Sequence, residues 1–139
     1  MEQTVDAINL TMNQILNEIF DGDIQVILKT HKDLKTKDVQ KLQVNFQIIY
    51  KGANYDSPSR LSGGEQDRIS LALTLAMAKI SDSPILLLDE CMAALNQELQ
   101  EKCIEAIQKY ITGKTILHIC HNAVKGQHDF TQCLCEETE

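Results

Sequence analysis

A chain of 139 residues with 43% hydrophobic content is long enough for one domain with a sizeable core, and too apolar to be disordered. A formal net charge of −7 and an isoelectric point near 5.0 argue against a whole-surface nucleic-acid binder and leave only local basic patches for phosphate. No apolar run reaches membrane-spanning length, the N-terminus carries no signal-peptide pattern, and with aromatics at 4% the core must be mostly aliphatic.

Val5, Ile8, Met12, Ile15 and Ile19 recur at steps of three and four, which predicts an amphipathic helix over residues 3–20. The same seam fits the last turns of a coiled coil, although two heptads do not establish one. Asp21-Gly22-Asp23 ends the helix. Ile24, Val26 and Leu28 then alternate with Gln25, Ile27 and Lys29, as in a strand. After a polar loop, Leu42, Val44, Phe46, Ile48 and Tyr50 alternate strictly with Gln43, Asn45 and Gln47. One wet face and one dry face call for an antiparallel partner. Residues 51–61 hold Gly52, Asn54, Asp56, Ser57 and Pro58 and read as a loop.

A helix is predicted over 63–81, with Ile69, Leu73, Met77 and Ile80 on its apolar face. Ile85, Leu86, Leu87 and Leu88 form a short continuous apolar run, the pattern of a buried parallel strand. Leu99, Cys103, Ile107 and Tyr110 mark a further helix, residues 115–120 a second buried strand, and 130–135 a third. Helices alternating with strands predict an α/β fold with a parallel sheet.

The five cysteines, Cys91, Cys103, Cys120, Cys133 and Cys135, include no Cys-x-x-Cys pair and read as reduced, mostly buried thiols. His118, Cys120 and His121 suggest a metal cluster, but in a strand 118 and 120 share one face and 121 takes the other. Lys29, His31, Lys32, Lys35, Lys37 and Lys41 gather between the first two strands and offer a contact for DNA phosphate. Asp33 and Asp38 interleave with them, which favours a solvated loop.

Three places carry chemistry. Ser62 and Glu65 are spaced as a capping box, and Gly63 and Gly64 leave the first helical turn without side chains. The pattern fits an ordinary helix start, and equally an anion approaching bare N–H groups at the positive end of the dipole. Asp89 and Glu90 end the apolar run at 85–88, where open α/β sheets bind ligands. Asp89 can hold magnesium directly or through water, and Glu90 can act as a general base on water; the pair can also simply cap the next helix. His121, just past strand 115–120, falls at the same sheet edge if the strands are parallel. There it could bond a terminal phosphate or the attacking water, or be a plain loop histidine.

Together these residues resemble the second half of an ATP-binding-cassette ATPase head. "LSGGEQ" at 61–66 resembles the signature motif, "ILLLDE" at 85–90 the Walker B strand with its catalytic glutamate, "AALN" at 93–96 the D-loop, and "ILHICH" at 116–121 the switch-histidine strand. Within that superfamily the chain looks most similar to SMC proteins and their double-strand-break-repair relatives of the SbcC type. A seam-bearing helix leads into paired strands, as where their coiled coil returns to the head, and "DECMAALN" resembles the SMC pattern DE-x-x-AALD.

The resemblance implies a coiled-coil end at 1–21 and the C-terminal lobe of a head at 22–139. It also implies ATP and Mg2+ as cofactors. Glu90 and His121 would be catalytic, and Asp89 would hold the metal. Ser62, Gly63, Gly64, Glu65, Gln66 and Asn96 would face a nucleotide sandwiched between two heads. The implied partners are a lobe carrying Walker A, a second head, DNA, and a nuclease or kleisin-type subunit, with no membrane. The implied location is intracellular: the nucleus of a eukaryote, or the cytoplasm and nucleoid of a prokaryote.

Two departures stand out. A P-loop reads G-x-x-x-x-G-K-[ST], and "TGKT" at 112–115 has Gln108 where the first glycine belongs, so the Walker A lobe is expected elsewhere. The D-loop pattern ends in Asp, and here Asn96 stands in that place, able to cap a helix but not to carry charge. A catalytically silent head-binding module and the nucleotide-binding domain of a transporter are the alternative readings.

Overall fold

The computed structural model describes residues 2–32 and 42–120. In chain order they form helix α1 (Glu2–Ile19), strands β1 (Ile24–Lys32), β2 (Leu42–Tyr50) and β3 (Ala53–Tyr55), a single 3₁₀ turn (Pro58–Arg60), helix α2 (Gly63–Ile80), strand β4 (Ile85–Asp89), helix α3 (Gln97–Tyr110) and strand β5 (Thr115–Ile119). The first three strands make an antiparallel sheet in the order β1-β2-β3, and β4 pairs with β5 in parallel. The α/β class with a parallel pair and a preceding antiparallel pair therefore holds. The strand expected at 130–135 lies outside the described residues.

The seam of α1 changes character along its length. Val5 and Ile8 are only partly buried, whereas Met12, Ile15, Leu16, Ile19 and Phe20 are buried in the core. The apolar face thus broadens toward the C-terminal end, where α1 packs against α2, β1 and α3. Asn9 and Asn13, one turn apart on the same helix, bond the backbone of Val26 and Leu28 along the outer edge of β1. That edge is satisfied by a helix rather than by another strand.

Residues 51–61 are not simply a loop. Lys51 and Gly52, at φ of 51° and 76°, make a two-residue hairpin with both central residues left-handed, and β3 pairs back on β2 from Ile48↔Tyr55 to Tyr50↔Ala53. The apolar face of α2 also differs from the expected one. Ile69, Leu71, Ala72, Leu75 and Ala76 are buried, while Met77 and Ile80 are exposed. Both sets recur at helical spacing, and tertiary packing selects the one that faces α1.

The parallel pair was expected to be buried on both faces. Instead Leu86 and Leu88 enter the core while Ile85, Leu87, Leu117 and Ile119 are 51%, 68%, 54% and 58% exposed. Residues paired in parallel share a face, so the register Leu87↔Leu117 and Asp89↔Ile119 puts these four apolar side chains and Asp89 on one side of the sheet. Among the described residues nothing covers that side. No helix among them is long and apolar enough to cross a membrane.

Candidate functional site

Helix α2 begins at a capping box. Ser62 has extended backbone geometry, its Oγ accepts from the Glu65 N–H at 3.4 Å, and Glu65 Oε2 accepts from the Ser62 N–H at 2.9 Å. The Gln66 N–H bonds the Ser62 carbonyl at 2.9 Å, and the Gln66 side chain donates to the Leu61 carbonyl at 2.8 Å. The first two amides of the helix, those of Gly63 and Gly64, find no protein acceptor among the described residues. They lie at the positive end of the α2 dipole.

Burial pushes the Glu65 carboxyl up, but hydrogen bonds from Ser62 and from the Tyr50 side chain, with the Lys51 charge nearby, leave it below its usual value. A carboxylate thus stays at the helix mouth as a fixed backbone acceptor. Tyr50, at the end of β2, was read only as a strand residue; it lies close enough to the start of α2 to help lower the Glu65 carboxyl.

The two glycines have a packing reason as well. A Cβ on Gly64 would lie 3.2 Å from the Ala94 carbonyl oxygen and 3.2 Å from Leu95 Cδ2, whereas one on Gly63 would make an ordinary 3.5 Å contact with Ala94 Cβ. Asp67 Oδ2 accepts from the Ala94 N–H at 3.0 Å. The first turn of α2 therefore sits directly on the turn that follows β4. Asp67 and Gly64 make that contact, a link the spacing of the motifs in sequence does not display.

Asp89 is the last residue of β4 and is exposed on the open face of the sheet. Glu90 extends the ladder by one bond, its N–H donating to the Ile119 carbonyl at 3.0 Å, and then turns at φ +46°. A non-glycine residue in the left-handed region is strained by about 1–2 kcal/mol, and such strain collects at functional positions. The Glu90 carbonyl accepts from Ala93 at 3.2 Å and Met92 from Leu95 at 3.1 Å, which folds residues 91–96 into a compact turn. Asn96 caps α3, its Oδ1 accepting from the Leu99 N–H at 3.0 Å. The capping role expected of Asn96 is thus filled.

Ser62, Gly63, Gly64, Glu65 and Gln66 form one group, and the 91–96 turn beginning after Glu90 packs against it. His121 lies outside the described residues. Cys91 Sγ approaches His118 Nε2 at 4.0 Å, and burial, with Asp67, Cys120 and Asp89 nearby, raises the Cys91 thiol to about 11. The described residues contain no cluster of three metal-ligating side chains. Cys91, Cys103 and Cys120 are all free thiols. Among the described residues Asp89 is the carboxylate exposed on the open face for magnesium, enough only where phosphate oxygens and water complete the shell.

Solved structures match most of the chain. One, from a study of ATP-driven dimerization and DNA-stimulated activation of SMC ATPases, superposes with a TM-score of 0.66 over 88% of this chain and 71% of that one, at 19% identity. The chain shares the fold of part of an SMC ATPase head. A Smc head bound to the C-winged-helix domain of ScpA matches with a TM-score of 0.69 over 88% of this chain and 37% of that one, at 20% identity.

No family model matches the chain. Among curated proteins it is 36% identical over 130 residues to the uncharacterized protein 094L of Invertebrate iridescent virus 3, and 32% identical over 133 residues to the uncharacterized protein 050L of Invertebrate iridescent virus 6. It spans 15% and 13% of the lengths of those two proteins. A shorter stretch, 61 residues or 44% of the chain, is 43% identical to an ATP-dependent lipid A-core flippase of Alkalilimnicola ehrlichii.

Proposed function

We propose that this chain is the C-terminal half of an SMC- or SbcC-like ATPase head, which binds and hydrolyses ATP at a head–head interface to drive DNA organisation or repair. The observation that carries this reading is the seating of the Ser62–Gly64 turn, with its two unpartnered N–H groups, against the turn that follows Asp89 and Glu90.

ATP with magnesium supplies a γ-phosphoryl group open to attack by water. Asp89 would hold the metal, Glu90 would take the proton of the attacking water, and Ser62 with the Gly63 and Gly64 amides would hold phosphate oxygens of a nucleotide seated on the opposite head. Glu65 would keep the Ser62 backbone in place, and His121 would bond the terminal phosphate from the end of β5.

The open face of β4 and β5 supports the half-head part of the reading. A parallel sheet is ordinarily covered on both sides, and four exposed apolar side chains beside Asp89 are what a lobe carrying Walker A would bury. The further partners would be a second head, DNA, and a kleisin-type or nuclease subunit. A reading as the nucleotide-binding domain of an exporter is favoured less, because α1 leads directly into the paired strands β1 and β2.

The test is a head reconstituted with a Walker A lobe. Glu90→Gln should retain ATP binding and lose nearly all hydrolysis, because the shape persists while the base is gone. Unchanged turnover would remove Glu90 from the reaction. Micromolar ATP affinity of the 139-residue chain by itself would overturn the half-head reading.

A further inference from the structure

Arg68 is a charged side chain buried to 8% exposure, and among the described residues no carboxylate pairs with it. Its charge is held by carbonyls and a ring. Nη1 donates to the Ile19 carbonyl at 2.9 Å, 49 residues away in sequence, and Nε donates to the Gly64 carbonyl at 3.2 Å, one turn back on α2. The guanidinium carbon stands 3.9 Å from the centre of the Phe20 ring, and that ring meets Tyr50 edge-on at 5.5 Å.

Ile19 is the last residue of α1, so its carbonyl belongs to the negative end of that helix. Gly64 is the residue that touches Ala94 and Leu95. One rigid planar group therefore binds the end of α1 and the first turn of α2 at the same time. Its donors lie in fixed directions, so a displacement of either carbonyl breaks a bond or moves the other element. A lysine, with a single ammonium and a flexible stem, cannot reproduce both bonds and the ring stack.

We propose that Arg68 is a positioning residue that couples the end of α1 to the Ser62–Gly64 turn and, through Gly64, to the 91–96 turn. A movement of α1 would then be felt at the helix mouth. The coupling itself is a property of this fold; its consequence for ATP rests on the function proposed above.

Hydrogen exchange of the chain tests the coupling directly. The reporters are the amides of Glu65 and Gln66, bonded to Ser62, and of Ala94, bonded to Asp67. Arg68→Lys should speed their exchange by about tenfold or more, as loss of a charge-assisted bond implies. The β1–β2 ladder should change far less. Phe20→Leu, which removes the ring under the guanidinium, should loosen the same three amides, and adding it to Arg68→Met should give no further local increase. A uniform rise across the ladder and the turns would mean that Arg68 is only structural, and no rise at the three amides would equally overturn the proposal.

A second arm separates the two claims. In the reconstituted head, Arg68→Lys should keep the head's own ATP binding and weaken ATP-dependent dimerisation. Selective loosening with dimerisation unchanged supports the coupling and counts against the nucleotide role of the Ser62–Gly64 turn.

Discussion

Asn13 holds Val26 as a neighbouring strand would. Its amide oxygen accepts from the Val26 N–H at 2.9 Å and its amide nitrogen donates to the Val26 carbonyl at 2.7 Å. Asn9 repeats the arrangement on Leu28, at 2.8 and 3.1 Å. Four residues of helix rise about 6 Å and two residues of strand about 6.7 Å, so the two amides match alternate residues of one strand edge. An edge that would otherwise invite another chain is closed from within.

Asn13→Ala should therefore cost about 2–3 kcal/mol, because two part-buried backbone groups lose their partners together. Asn13→Asp should be comparably harmful at neutral pH, since a carboxylate cannot donate to the Val26 carbonyl. Urea denaturation at constant slope measures both; a loss under about 0.5 kcal/mol would show that water replaces the amide.

The glycines at the start of α2 should separate on substitution. Gly64→Ala forces its methyl against the Ala94 carbonyl and Leu95, with an expected cost of about 1–2 kcal/mol. Gly63→Ala meets only ordinary contact with Ala94 and should be neutral or stabilising by a few tenths of a kcal/mol, as alanine favours the helix. Thermal unfolding of the two variants gives the order. Equal costs would mean that the close approach at Gly64 does not constrain the fold.

Glu18 accepts from Lys109 Nζ and Tyr110 Oη, both at 2.6 Å, and so ties α3 to α1. The hydrogen bond from Lys109, then that from Tyr110, holds the Glu18 carboxyl below its usual 4.5. Its contribution is present above that value and fades as pH falls through the lower folded one. Tyr110 is shifted the other way: burial first, then Glu18, raises it from 10.0 to about 12. The unfolded phenol ionises first, so this contribution is lost between pH 10 and about 12. Lys109→Met should lower stability at neutral pH and make the further loss below pH 4.5 smaller, since the folded carboxyl then titrates closer to the unfolded one. Absorbance titration should show Tyr110 ionising near pH 12, and its transition near pH 10 would contradict the arrangement.

Glu90 at φ +46° invites a test of strain. Glu90→Gly should raise stability by up to about 1 kcal/mol while removing the proposed base, since glycine adopts that geometry without a Cβ clash. A lower melting temperature for the glycine variant would show that the Glu90 side chain contributes more to the fold than its backbone costs.

The elements legible in the sequence were those whose pattern had one solution. The alternation from Leu42 to Tyr50 could only be a half-buried strand, and Ser62 with Glu65 announced the start of α2. Where two solutions existed, tertiary contact decided. Met77 and Ile80 keep helical spacing with Ile69, as do Leu71, Ala72 and Leu75, and only the position of α1 shows which set is buried. The hairpin at Lys51-Gly52 was hidden because lysine rarely takes a left-handed conformation. The roles of Asn9 and Asn13 went unread, since nothing local reveals a strand edge 13 and 19 residues away. The proposed site was legible as four motifs, but the contact of Gly64 and Asp67 with Ala94 exists only once α2 and β4 are folded side by side.

The decisive measurement is ATP-dependent dimerisation of the reconstituted head, by size-exclusion chromatography with ATP and magnesium in a Glu90→Gln background. Ser62 is exposed at the mouth of α2, so an arginine there meets no packed neighbour; it forfeits the capping hydroxyl at about 0.5–2 kcal/mol and should leave the head's own ATP binding intact. It fills the approach beside Gly63 and Gly64 and sets a cation against the positive end of the dipole. The account predicts that Ser62→Arg binds ATP as its parent does and stays monomeric. A Ser62→Arg head that dimerises as well as its parent would contradict it, and the glycines would then serve only to seat α2 on the 91–96 turn.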